Sequence, residues 1–163
     1  MSRPALSQRG ESPTIARLMI AIALVAGAGV AVSSVSLYHH FGTSRTSFCN
    51  FGETFNCDIV NRSTYSSVLG IPVALIGILG YLLILALATV YRDKAETPIM
   101  LLIASIGGLG FALYLTYIEK FVLQSWCVLC LGSLVLIVML AVLSLLLNFR
   151  ARSNNSHSSM SLP

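Results

Sequence analysis

Polar residues are scarce along most of this chain and fall in clusters. Between the clusters lie four apolar runs, Leu18 to Leu37, Val68 to Tyr91, Pro98 to Ile118 and Val128 to Phe149. Each approaches or exceeds the roughly 20 residues that a helix needs to cross a hydrocarbon core of about 30 Å. The apolarity is continuous, not alternating over segments of about 10 residues, which argues against the strands of a membrane barrel. The pattern predicts an all-α integral membrane protein, a bundle of four transmembrane helices with an extracytoplasmic loop. Residues 1–14 and 150–163 are rich in Ser, Pro and Asn and lack periodicity. They read as disordered tails flanking one membrane domain at 15–149.

Composition sharpens this picture. Of 163 residues, 56% are hydrophobic and only 10% charged, where a soluble domain carries about a quarter charged residues. The net charge of +4 fits basic residues at membrane boundaries better than a nucleic-acid surface. Arg3, Arg9, Arg17, Arg92, Lys94, Arg150 and Arg152 fall on one side of the predicted spans, and only Arg45, Arg62 and Lys120 on the other. Positive charge stays with the cytoplasm, so both termini are expected there. The loop from about Tyr38 to Ser67 and the segment from Glu119 to Trp126 then face the opposite, periplasm-like side. Ala26-Gly27-Ala28 after Arg17 imitates a cleavable signal, but the apolar run continues well past it, which favours a retained helix. Small residues recur every fourth position at Ala23, Gly27 and Ala31, and at Ala104, Gly108 and Ala112, as in close helix packing within lipid. No charged residue sits deep in a predicted span, which weighs against a channel, pump or ion-coupled transporter.

The four cysteines carry the chemistry. Cys49 and Cys57 lie in the external loop, and Cys127 and Cys130 form Cys-Val-Leu-Cys at the external end of the fourth run. All four thus fall on the face where disulfides persist. In a Cys-x-x-Cys at a helix start the two sulfurs share a face, and the positive helix end favours the reactive thiolate. A structural disulfide closing so short a loop would gain little. Haem attachment needs a following His, but position 131 is Leu. A zinc cage with His39 and His40 is disfavoured in an oxidising compartment. Two static disulfides stapling the loop are a further alternative. Two dithiol pairs side by side can exchange disulfides through a mixed intermediate. The apolar, aromatic bundle, with Phe111, Tyr114 and Tyr117 on the external half of the third helix, suits a lipid-soluble quinone as final acceptor.

These residues resemble the vitamin K epoxide reductase (VKOR) family, specifically its bacterial disulfide-forming members, over roughly residues 15–149. The resemblance is carried by Cys49 and Cys57, Ser63, the stretch Ser66-Ser67-Val68-Leu69-Gly70-Ile71-Pro72, and Trp126-Cys127-Val128-Leu129-Cys130. The DsbB family also has four helices and two cysteine pairs, but its Cys-x-x-Cys comes first; here the order is reversed. The resemblance implies that Cys127 and Cys130 reduce a quinone (of ubiquinone, menaquinone or phylloquinone type), with Cys130 nearest the ring. It implies that Cys49 and Cys57 shuttle electrons from a thioredoxin-like partner to Cys127, and that Ser63 orients or polarises a quinone carbonyl, although a helix-capping role is equally open. Ser63, Phe111 and Tyr114 are the candidate quinone-binding residues, and no metal enters this reading. The fused thioredoxin-like domain of many bacterial members is not seen after the fourth helix, so a separate, DsbA-like oxidase is expected as partner. Animal enzymes have a Tyr four residues after the second active-site cysteine, where this chain has Leu134, so simple quinone reduction is preferred. The expected function is disulfide formation at a bacterial inner membrane. The alternatives are a quinone or vitamin K epoxide recycling reductase, and a non-catalytic membrane scaffold with structural disulfides.

Overall fold

The computed structural model of the chain describes residues 13–41, 50–51, 55–56, 60, 63, 66–68, 70–92 and 94–159. Four helices dominate: α1 (Pro13–Phe41), α2 (Val73–Thr89), α3 (Thr97–Ile118), prolonged by a π-helical turn (Glu119–Leu123), and α4 (Val128–Ser159). Two short antiparallel ladders lie between α1 and α2. In one, β1 (Asn50–Phe51) pairs with β2 (Phe55–Asn56); in the other, β3 (Ser67–Val68) pairs with β4 (Ile71–Pro72).

Three segments, Pro13–Phe41, Thr97–Leu123 and Val128–Ser153, are long and apolar enough to cross a membrane. α2 is equally apolar but has only 17 residues. It was expected from Val68, yet the structure uses residues 67–72 for a hairpin. Gly70 takes a positive φ of 81° there, which glycine adopts without steric penalty. Pro72 then stands at the N-cap of α2, where its missing N–H costs no helical hydrogen bond. The other helices overrun the apolar limits. α1 already includes Pro13 and Thr14, and α4 continues to Ser159 through much of the stretch read as a tail. Extending a helix costs far less than nucleating one, so a long apolar core carries polar flanks along.

The bundle is turned inside out relative to a soluble protein. Leu24, Leu79, Ile103 and Val135 are 59–70% exposed on the four helices, while Ser33, Ser36, Ser105 and Ser144 are buried between them. Such an apolar exterior is stable in lipid, where helix association rests on close packing and interhelical hydrogen bonds. The chain is an integral membrane protein. α1 packs on α2 and α4, and α3 on α4 and less extensively on α2.

The packing row on α1 differs from the one expected. Its buried positions are Met19, Ile22, Ala26, Gly29, Ser33 and Ser36, and the close approach is at Gly29, not Gly27. A Cβ on Gly29 would stand 2.3 Å from Tyr81 Cδ1, whereas one on Gly27 would meet nothing within 4 Å. Gly108 on α3 does make a close contact, 2.9 Å from its Cβ position to Ile137 Cδ1. Tyr81, seated on Gly29, donates its hydroxyl to the Ser133 carbonyl at 2.9 Å, so one side chain joins α1, α2 and α4.

Candidate functional site

The site forms where α3 hands over to α4. The π-helical turn ends at Gln124, whose φ of 50° is left-handed, and this reverses the chain. The chain then returns through Ser125 and Trp126 to Cys127, whose carbonyl accepts the Leu131 N–H at 3.0 Å. Cys127 is therefore the N-cap of α4, and Cys130 follows within the first turn. Both are free thiols, Cys127 fully buried and Cys130 partly.

A third group completes the cluster. Glu119, the only acidic residue after Glu96, is 2% exposed. Its Oε2 accepts the backbone N–H of Cys127 at 3.3 Å, and its Oε1 is buried without a hydrogen-bond partner. A carboxylate oxygen of Glu119 and the two Sγ atoms lie within 4.8 Å of one another. The sequence places Glu119 at a span end, beside Lys120, where it reads as loop. Its signal is isolation: one carboxylate, eight residues before a Cys-x-x-Cys, in a stretch from 97 to 163 with no other acid.

The thiols are unequal. The Cys130 thiol donates to Cys127 and holds the Cys127 thiol below its ordinary range; burial pushes the other way. The backbone N–H groups of Cys130 and Leu129 add to the lowering, and the Glu119 carboxylate opposes it. Cys127 is thus poised as the thiolate, the nucleophilic form.

Two surroundings meet the pair. On one side, Val60 from the loop between α1 and α2 is buried against Cys127, with Leu123, Leu129 and Cys130 around it. On the other, an apolar cavity of about 360 Å³ opens within the bundle, and Cys130, Glu119, Ser63, Phe111, His40 and Ser133 lie on its wall. Pockets of about 300–1,000 Å³ hold small organic ligands, so the space fits a ring-sized, lipid-soluble group.

The expected site residues fall as follows. Cys127 and Cys130 come together, and Ser63 and Phe111 line the cavity. Ser63 donates its hydroxyl hydrogen to the Val60 carbonyl at 2.9 Å, so it holds the loop turn and presents only oxygen lone pairs to a ligand. Tyr114 is absent from the cavity wall and 55% exposed. The lining positions of α3 follow the stripe Ala104, Gly108, Phe111 and Leu115, and Tyr114 lies to one side of it, facing outward. Cys49 and Cys57 lie outside the described residues. His40, Ser133 and Glu119 are among the polar wall groups that sequence reading did not assign to a quinone site.

Three donors at this spacing could also approach a cation, but a closed structural zinc site takes four. Among the described residues no fourth His, Cys, Asp or Glu joins the cluster. The donor set fits a dithiol and its carboxyl partner better than a metal cage. Residues 20–145 of the chain match the Vitamin K epoxide reductase family.

Proposed function

The chain belongs to the vitamin K epoxide reductase family, and on that premise we propose that it is a quinone-dependent thiol-disulfide oxidoreductase supporting disulfide formation. Electrons enter from a separate thioredoxin-like, DsbA-like protein at Cys49 and Cys57, pass to Cys127, and leave from Cys130 to a membrane quinone. In this reading all four helices cross the bilayer, both termini are cytoplasmic, and the cysteines face the extracytoplasmic side of a bacterial inner membrane.

The observation that carries the proposal is the division of labour between the two thiols. Cys127 is buried under the loop residue Val60 and lowered toward its thiolate, which suits it to exchange with the loop pair. Cys130 stands on the wall of the apolar cavity, where an acceptor would be held. The pairing of Asn50 with Asn56 supports the shuttle, since Cys49 and Cys57 adjoin these two residues in sequence. A quinone in the cavity supplies a two-electron, two-proton acceptor. Phe111 offers it an aromatic face, and Ser63 keeps the loop turn over it. Thiolate attack on a neighbouring disulfide, through a mixed disulfide, accounts for each transfer between pairs.

The test uses the purified full-length chain in lipid nanodiscs with ubiquinone-1 and dithiothreitol as electron donor. The ultraviolet absorbance of the quinone is expected to fall catalytically. Replacing Cys49 or Cys57 is expected to spare this reaction and to abolish turnover with a reduced thioredoxin-like protein. A chain that bleaches no quinone with either donor refutes the proposal.

A further inference from the structure

We propose that Glu119 is the proton carrier between the Cys127–Cys130 dithiol and the cavity, a role that rests on the quinone-reducing reading above. Three observations point to it. The carboxyl is 2% exposed with Oε1 unpartnered, and an uncompensated buried polar group is costly enough that natural structures rarely keep one without use. It lies within 4.8 Å of both reacting sulfurs. It also forms part of the cavity wall itself, so one side chain reaches both the source and the destination of the proton.

Dithiol oxidation needs such a group. Two S–H bonds break and one S–S bond forms between Cys127 and Cys130. Two electrons pass to the quinone, on which two O–H bonds form. Cys127, already lowered toward its thiolate, releases its proton toward the loop side, and Glu119, reprotonated from that side, passes an equal proton to the acceptor. Cys130 stands on a largely apolar wall, and Glu119 is the carboxylate beside it. Glu119 Oε1 takes the Cys130 proton as the S–S bond closes and hands it into the cavity, ending the cycle unchanged. Meanwhile Oε2 stays on the Cys127 N–H, which keeps the carboxyl in place in both protonation states. Among the described residues, the other ionisable groups at this place are the thiols of Cys127 and Cys130, beside the carboxyl, and His40 from α1 and Tyr81 from α2 on the same cavity wall; Lys120, its chain neighbour, is exposed.

Glu119→Gln separates proton carriage from structure, because the amide oxygen can still accept the Cys127 N–H. In the full-length protein in nanodiscs, this variant is expected to slow ubiquinone-1 reduction by dithiothreitol on the order of 10²-fold or more, with its thermal melting kept. Glu119→Asp, which retains an ionisable group, is expected to recover part of the rate. A second readout needs no quinone: the pH dependence of Cys130 alkylation in the reduced protein, followed by mass spectrometry, is expected to change shape in Glu119→Gln. Unchanged rate and unchanged alkylation curve in Glu119→Gln overturn the proposal. So does a Glu119→Asp variant that folds but is as slow as Gln. If the wild type reduces no quinone, the acceptor reading fails by itself. The alkylation curves still decide the carrier: an altered curve supports it toward another acceptor, and an unaltered one ends it.

Discussion

The two ends of the bundle are built from the same apolar residue types and behave differently. At the end formed by the start of α1, the close of α2, the start of α3 and the later half of α4, Ile22, Leu101 and Leu140 are fully buried. There Ser105 and Ser144 meet hydroxyl to hydroxyl at 3.1 Å. At the other end the same four helices enclose the cavity, and the buried Glu119 on its wall keeps one oxygen without a hydrogen-bond partner. Glycines make much of the difference. Gly77, Gly80, Gly107 and Gly108 all lie on the cavity wall, where a larger side chain would fill it. The closed end holds the helices together, which permits the thiol end to remain hollow. Tyr81, packed on Gly29 and bonded to Ser133, marks the boundary between them.

This contrast can be broken from either end. The largest effect is expected from Cys130→Ala: quinone reduction in nanodiscs should fall by at least about 10³-fold, as expected when one member of a pair that acts as a unit is lost, while the melting temperature barely moves. Next, Gly29→Leu drives a side chain into the Tyr81 ring and should cost about 1–3 kcal/mol, as overpacking does, read as a lowered melting temperature in detergent. A smaller effect concerns pH. Because the Cys127 thiol lies below its ordinary range, the ultraviolet thiolate absorbance of the reduced protein should appear at lower pH than in the unfolded chain. Cys130→Ala removes the largest cause and should move that profile upward. The matching stability contribution is complete above the unfolded thiol's pKa and is lost as pH falls through the lowered one. Ser105→Ala, at the closed end, should cost only about 0.6 kcal/mol, the average for a hydrogen bond between membrane helices. Tyr114→Ala, on the outer face of α3, should leave quinone reduction unchanged. A loss there would place the cavity wall elsewhere.

Much of this architecture is legible in the sequence because length and hydropathy are local properties. The apolar runs mark α1, α3 and α4, and the cysteine spacing marks the start of α4. What fails is whatever depends on a partner. Ala23, Gly27 and Ala31 form as regular a row as Ala26, Gly29 and Ser33, and only the Tyr81 ring across the interface decides between them. The hairpin at 67–72 is hidden inside an apolar run, since Gly70 and Pro72 interrupt geometry without interrupting hydropathy. Glu119 reads as a loop charge because nothing local announces the left-handed Gln124, which folds the chain back and buries it. Phe111 and Tyr114 are equally aromatic and only three positions apart on α3, yet the first lines the cavity and the second faces outward.

The position of Cys127 as a helix cap has its own consequence. Its sulfur is held by the N–H groups of Leu129 and Cys130, and a sulfur tied into a disulfide is a much poorer acceptor than a thiolate. In the proposed reaction each turnover would therefore tighten and loosen the opening turn of α4. The backbone itself becomes a gauge of oxidation state, and amide exchange at Leu129 and Cys130 would read it with no reagent touching the thiols.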